Sequence, residues 1–172
     1  MSTVRSQDFE AYVDARGRAW ERSAYALTHD RHAAQDLVQT VLLKVFRHWS
    51  RIVAVEQPDA YVRRMLVRTY LDQQRRRSSG ERPAAGPLPE ALAPDPAVGV
   101  VQRDEFRRAL GALTPMQRAV LVLRHVEGLP DDEIAGVLGC TAATVRTHAS
   151  RGRDRFRDAL DGAAHGTEQE QR

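Results

Sequence analysis

The sequence predicts an all-α protein built as two small helical domains joined by a Pro/Ala-rich flexible linker, with a helix-turn-helix in the C-terminal domain. Three observations carry this. Apolar residues recur at helical spacing through both halves of the chain, five of the eight prolines crowd between residues 78 and 99, and no segment alternates apolar and polar residues as a strand would.

Phe9, Tyr12, Val13, Trp20, Ala24 and Leu27 mark a first amphipathic helix, and Ala34, Leu37, Val38, Val41, Leu42, Val45, Phe46 and Trp49 mark a second, with a turn near Thr28 to Arg31. A third helix starts at Pro58, a residue suited to a first helical turn. It runs through Tyr61, Val62, Met65, Leu66, Thr69 and Tyr70 to Arg75, Arg76 and Arg77. These elements define a first domain over residues 1–77. The stretch 78–100 has no periodic apolar face with which to offset its ordering entropy, and so reads as a linker. A second domain spans 101–161. Phe106, Leu110 and Leu113 share a helical stripe, Thr114-Pro115-Met116-Gln117 combines a capping box with proline at the first helical position, and Val120, Leu121, Leu123 and Val126 carry the next helix to a stop at Gly128. The tail 162–172 is polar and Gly-rich, and is expected to be disordered.

Residues 129–153 have the pattern of a helix-turn-helix. Ala135 allows two helices to approach, Gly139 permits a positive φ at the turn, Val145 fills the space between the helices, and Thr141 is a natural N-cap for the second. That second helix carries Arg146, His148, Arg151 and Arg153, so its partner is expected to be DNA. In the first domain, Arg63, Arg64, Arg68, Arg75, Arg76 and Arg77 are opposed only by Asp72 between residues 61 and 77, with Tyr61 and Tyr70 interleaved. Rings that stack on bases beside guanidinium groups that hold phosphates suit single-stranded or melting DNA. The same pattern fits a solvated basic face whose tyrosines belong to the core.

The remaining composition narrows the choice. The formal net charge is +3, and every basic residue except Lys44 is arginine, a preference that suits phosphate and guanine but also follows from a GC-rich genome. No apolar run is long enough to span a bilayer, and the N-terminus shows neither a signal peptide nor a lipid anchor, so a cytoplasmic protein is expected. Cys140 fits a small packing residue in the turn. His29 and His32 lack further ligands at metal spacing, Asp131, Asp132 and Glu133 suit the positive end of a helix, and no phosphate loop or nucleophile motif occurs. No metal, cofactor or catalytic apparatus is expected.

Together the two halves resemble the sigma factors of bacterial RNA polymerase, of the small extracytoplasmic-function type and close to an actinobacterial subgroup. The resemblance rests on Ala24-Tyr25-Ala26-Leu27-Thr28 through Asp36-Leu37-Val38-Gln39, on Pro58-Asp59-Ala60-Tyr61-Val62-Arg63-Arg64, on Ala112-Leu113-Thr114-Pro115 through Arg153, and on Ala149-Ser150-Arg151-Gly152. It implies a protein that binds core RNA polymerase and directs promoter-specific initiation, the first domain being sigma domain two and the second sigma domain four. It implies that Asp36, Leu37, Gln39, Thr40, Leu43 and Lys44 meet the β′ clamp helices, with further contact to the β subunit. Tyr61, Arg63, Arg64, Arg68, Arg75 and Arg76, with the loop 50–57, would then engage and melt the −10 element and hold an unstacked base. Thr141, Thr144, Val145, Arg146, His148, Arg151 and Arg153 would meet the −35 element. An anti-sigma factor is a further implied partner, and the free chain is expected to be a monomer. His29 stands where Gly is common in the family, Thr40 where an acid is common and Pro130 where a capping Ser is common. The alternative is a stand-alone helix-turn-helix regulator. Such proteins usually dimerise, and no dimerisation helix is evident here.

Overall fold

The structure, a computed structural model, describes the backbone of residues 2–80 and 100–169 and the side chains of 8–80 and 105–162. All regular structure among the described residues is helical. The chain divides into two compact units, Met1–Pro87 and Leu88–Arg172.

Unit 1 contains α1 (Ser2–Thr28), α2 (Arg31–Arg47), the single turn α3 (Trp49–Ile52) and α4 (Pro58–Ser78). The turn between α1 and α2 is tight. His29 takes φ 46°, and Asp30 caps α2 by accepting the Ala33 N–H at 2.7 Å. A positive φ is sterically free only for glycine, so histidine is an unusual residue at this turn. Leu27, Leu37, Val41, Val45, Ile52, Val62, Leu66, Val67 and Tyr70 form the core, with α2 packed on both α1 and α4. Aromatic side chains close one end: Phe9 meets Phe46 and Trp49 with centroids 5.1 and 5.5 Å apart, and Tyr12 meets Trp20 and Trp49 at 5.3 and 4.9 Å. The expected continuous helix through Trp49 breaks at His48, whose N–H bonds back to Lys44 and Val45. The break lets α3 turn Trp49 and Ile52 inward.

Unit 2 contains α5 (Val100–Ala112), α6 (Pro115–His125), α7 (Asp131–Leu138) and α8 (Ala142–Gln169). α8 is its organising element and packs against α5, α6 and α7. The capping box at Thr114 forms as expected, with Thr114 Oγ1 accepting the Gln117 N–H and Gln117 Oε1 accepting the Thr114 N–H. Between α5 and α6 sits Arg118, only 6% exposed. Its Nε and Nη2 donate to the Leu110 carbonyl at 3.0 and 2.7 Å, and Nη2 also donates to the Leu113 carbonyl at 3.2 Å. Carbonyls at a helix C-terminus lack intrahelical partners, and Arg118 serves two of them, Leu110 also accepting the Leu113 N–H at 3.3 Å.

The expected linker, 78–100, lies outside the described residues from 81 to 99; at its ends Ser78 belongs to α4 and Val100 to α5. The expected disordered tail is in part helical, because α8 continues to Gln169. Extending an existing helix adds a hydrogen bond per residue without a new nucleation cost.

Candidate nucleic-acid interface

In unit 2, α7 ends on Gly139 in the left-handed conformation (φ 71°, ψ 39°), and the Gly139 and Cys140 N–H groups both bond to the Ala135 carbonyl. Thr141 then opens α8 by accepting the Thr144 N–H at 3.1 Å. Ile134 and Ala135 on α7 pack inward, as do Val145 and Ala149 on α8. At Gly152, α8 runs close against α6. A Cβ there would lie 3.2 Å from Leu121 Cδ1 and 3.3 Å from Gln117 Cβ. This is the bihelical geometry expected from the spacing. At the start of α7, Pro130 makes no side-chain cap, and Asp131 pairs with Arg124 of α6. Burial pushes the Cys140 thiol above its ordinary value, in keeping with a packing role.

With one face of α8 buried, the other is free. Thr141, Thr144, Arg146, Arg151 and Arg153 are exposed and His148 is half-buried, with Arg146 and Arg153 flanking the buried stripe of α8 on one side and Thr144, His148 and Arg151 on the other. Val145 is a correction to the expected contact set. It is 0% exposed, and its role is to hold α8 against the unit.

In unit 1, α4 exposes Tyr61, Arg64, Arg68, Arg75 and Arg76, while Arg63 is half-buried. Tyr70 is fully buried, so of the two interleaved tyrosines only Tyr61 can reach a base. Arg75 pairs with Asp72 one turn earlier. At the head of α4, Glu56, Gln57, Pro58, Asp59, Ala60 and Arg63 surround an open hollow of about 300 Å³. Asp59 is held from α1: Tyr12 Oη donates to its Oδ1 at 2.8 Å and Arg16 Nη2 lies 2.7 Å from its Oδ2. Burial first, then the hydrogen bond and charge of Asp59, push the Tyr12 phenol above its ordinary value, and it stays a donor at neutral pH. The sequence offered no signal for this pairing, whose partners lie more than forty residues apart.

On α2, Asp36, Gln39 and Leu43 are exposed, Leu43 by 62%, and Thr40 is half-buried with its hydroxyl donating to the Asp36 carbonyl. Lys44 donates to Thr69 Oγ1 of α4 at 3.0 Å. Leu37 is the second correction: it is 0% exposed and belongs to the core. What remains outside is an apolar patch of Leu43 and Phe46 with a polar rim. Among the described residues no helix is long and apolar enough to cross a membrane.

A helix-turn-helix with exposed basic residues, together with a second helical unit that carries an arginine-rich helix and a hollow at its head, defines an all-α DNA-binding protein with two distinct candidate contact surfaces. Comparison makes this specific. Residues 12–80 match the family described as sigma-70 region 2, and residues 103–156 match sigma-70, region 4. The chain is 37% identical over 154 residues to the RNA polymerase sigma-E factor of Streptomyces avermitilis, covering 90% of this chain and 86% of that one. It is also 37% identical over 153 residues to the sigma-E factor of Streptomyces coelicolor, with 89% and 86% covered. In fold it resembles the sigma factor RpoE of Bartonella quintana, solved with the anti-sigma factor NepR, at a TM-score of 0.71 and 23% identity over 90% of this chain and 98% of that one.

The chain belongs to the sigma-70 family, as an extracytoplasmic-function sigma factor of actinobacterial kind, and directs transcription initiation. Sigma factors are not enzymes. The region 2 match across unit 1 disfavours a stand-alone helix-turn-helix regulator.

Proposed function

We propose that unit 2 reads the −35 element as duplex while unit 1 captures and opens the −10 element, each unit acting as one domain of a promoter-recognition subunit. The observation that carries this is the division of α8, whose Val145, Ala149 and Gly152 side packs inward while Thr144, Arg146, Arg151 and Arg153 remain outside on the recognition helix. A helix of this width enters the major groove, and arginine there contacts guanine edges or phosphates. Ala142 and Ala143 are short, which leaves Arg146 as the leading base reader, with Thr141 and Thr144 near the backbone.

In unit 1, Arg64, Arg68, Arg75 and Arg76 follow the phosphates of the melting strand and Tyr61 offers a stacking face. The hollow lined by Gln57, Asp59 and Arg63 has room for one unstacked base. Asp36, Gln39, Thr40, Leu43 and Lys44 form the docking patch for the β′ clamp helices of core polymerase, with the β subunit as a second contact. An apolar centre with a polar rim is the usual anatomy of such a surface. The same patch is the surface for an anti-sigma factor to cover, in line with the anti-sigma complex of the Bartonella relative. The chain catalyses nothing itself, acts in the cytoplasm and is monomeric when free.

Neither unit neutralises many phosphates alone, so affinity for free promoter DNA is weak and falls with salt. Run-off transcription with purified core polymerase on a genomic promoter library tests the assignment. Transcripts that appear only when the chain is added support it. Tight binding to a palindrome by a stable dimer without polymerase would contradict it.

A further inference from the structure

We infer that Tyr12 and Arg16 of α1 are positioning residues for −10 recognition: by holding both oxygens of Asp59 they fix where that carboxylate sits and so set the shape of the hollow at the head of α4. The inference rests on the assignment of this hollow to the −10 element.

The geometry is direct. Asp59 sits in the first turn of α4 and lines the hollow with Gln57 and Arg63. A carboxylate only accepts, through two oxygens that offer about four lone-pair sites between them. Here Oδ1 takes the Tyr12 hydroxyl at 2.8 Å and Oδ2 takes the Arg16 guanidinium at 2.7 Å, both from α1. Tyr12 is itself fixed by ring contacts to Trp20 and Trp49, so the anchor is tied to the aromatic end of the core. The net charge of the hollow also changes. An unpaired Asp59 would repel the phosphates flanking a captured base and would compete for its amino donors. Arg16 offsets that charge, and the two bonds from α1 fix the direction in which the remaining acceptor sites of Asp59 face, beside Gln57 and Arg63. Arg63 acts on the same network, since its positive charge lowers the Tyr12 phenol in part.

Tyr12→Phe deletes one hydroxyl and keeps the ring contacts, and Arg16→Gln changes a side chain about half exposed, so neither change removes core packing. The test is open-complex formation by holoenzyme on a promoter library randomised through the −10 region, with the opened templates sequenced. Core-polymerase binding and thermal unfolding are measured in parallel. In the Tyr12→Phe/Arg16→Gln double variant, preference at one −10 position should fall by about threefold to tenfold, the scale of one hydrogen bond's net contribution, with the other positions and core binding unchanged. Arg16→Lys, which keeps the cation, should retain the preference. An unchanged preference at every position overturns the inference, as does a uniform loss of opening, which would mark a purely structural role. If the wild-type chain opens templates with no −10 preference at all, the assignment of the hollow itself has failed, an outcome separate from the other two.

Discussion

Replacing Arg118 with Met should destabilise unit 2 selectively. Methionine keeps most of the apolar stem but removes the guanidinium that serves the Leu110 and Leu113 carbonyls. Hydrogen bonds to a charged donor contribute about 1.5–3 kcal/mol each, and counting carbonyls rather than contacts gives two of them, or about 3–6 kcal/mol. Three effects reduce this: the Leu110 carbonyl keeps the Leu113 N–H, the guanidinium no longer needs desolvating, and water reaches the half-buried Leu110. The net cost is about 2–4 kcal/mol, a large share of the stability of a small domain. The chain carries its own control, because both tryptophans, Trp20 and Trp49, belong to unit 1. In urea unfolding of the full chain, far-ultraviolet circular dichroism should show a helical phase moved to lower denaturant while the tryptophan fluorescence transition stays in place. A shift below about 0.5 kcal/mol would refute the role given to Arg118, and an equal shift of the fluorescence transition would refute the independence of the two units.

Other perturbations follow from the same geometry. Gly152→Val forces a branched side chain against Leu121 and Gln117 and should cost unit 2 about 1–3 kcal/mol by the same unfolding assay, with weakened −35 binding alongside. Arg146→Ala should relax base choice at one −35 position by about 1–3 kcal/mol in a competition assay over promoter variants, whereas equal losses on every sequence would make Arg146 a phosphate anchor. The phenol of Tyr12 holds its proton more tightly folded than unfolded, so its contribution to stability is complete below the ordinary tyrosine pKa of about 10 and is lost as pH rises beyond it. Wild-type unit 1, followed by tryptophan fluorescence, should therefore lose more stability than Tyr12→Phe as pH is raised above about 10, and parallel pH profiles would count against the buried hydrogen bond.

Much of this architecture was legible from spacing. Helical periodicity located α2, α4 and α6, the Thr114–Gln117 box fixed the start of α6, and Gly139 with Thr141 fixed the turn of the bihelical motif. These are local signals, set by residues within a turn or two of one another. Which side of a helix faces inward was harder to read at single positions. Leu37 and Val145 fall within family contact segments, but such segments include the residues that hold the helix as well as those that touch a partner. Tyr70 looked like its exposed counterpart Tyr61 because both sit among arginines, yet nine positions along a helix turn the ring through about 180°, onto the opposite face. Arg118 and the Tyr12–Asp59–Arg16 network were invisible for another reason. Their partners come from a different helix, and a polar residue in a single sequence carries no mark of burial. The break at His48 likewise reflects the inward demand of Trp49 and Ile52 rather than any Pro or Gly.

The central claim is that one chain makes two separate promoter contacts through two separate units. Photo-crosslinkers placed at position 146 and at position 63, in holoenzyme bound to a promoter that the chain supports, test it most directly. The account predicts that position 146 reacts with duplex DNA at the −35 element and position 63 with the melted strand at the −10 element, in the same complex. Crosslinks from both positions to one DNA segment, or from position 63 to duplex alone, would contradict it.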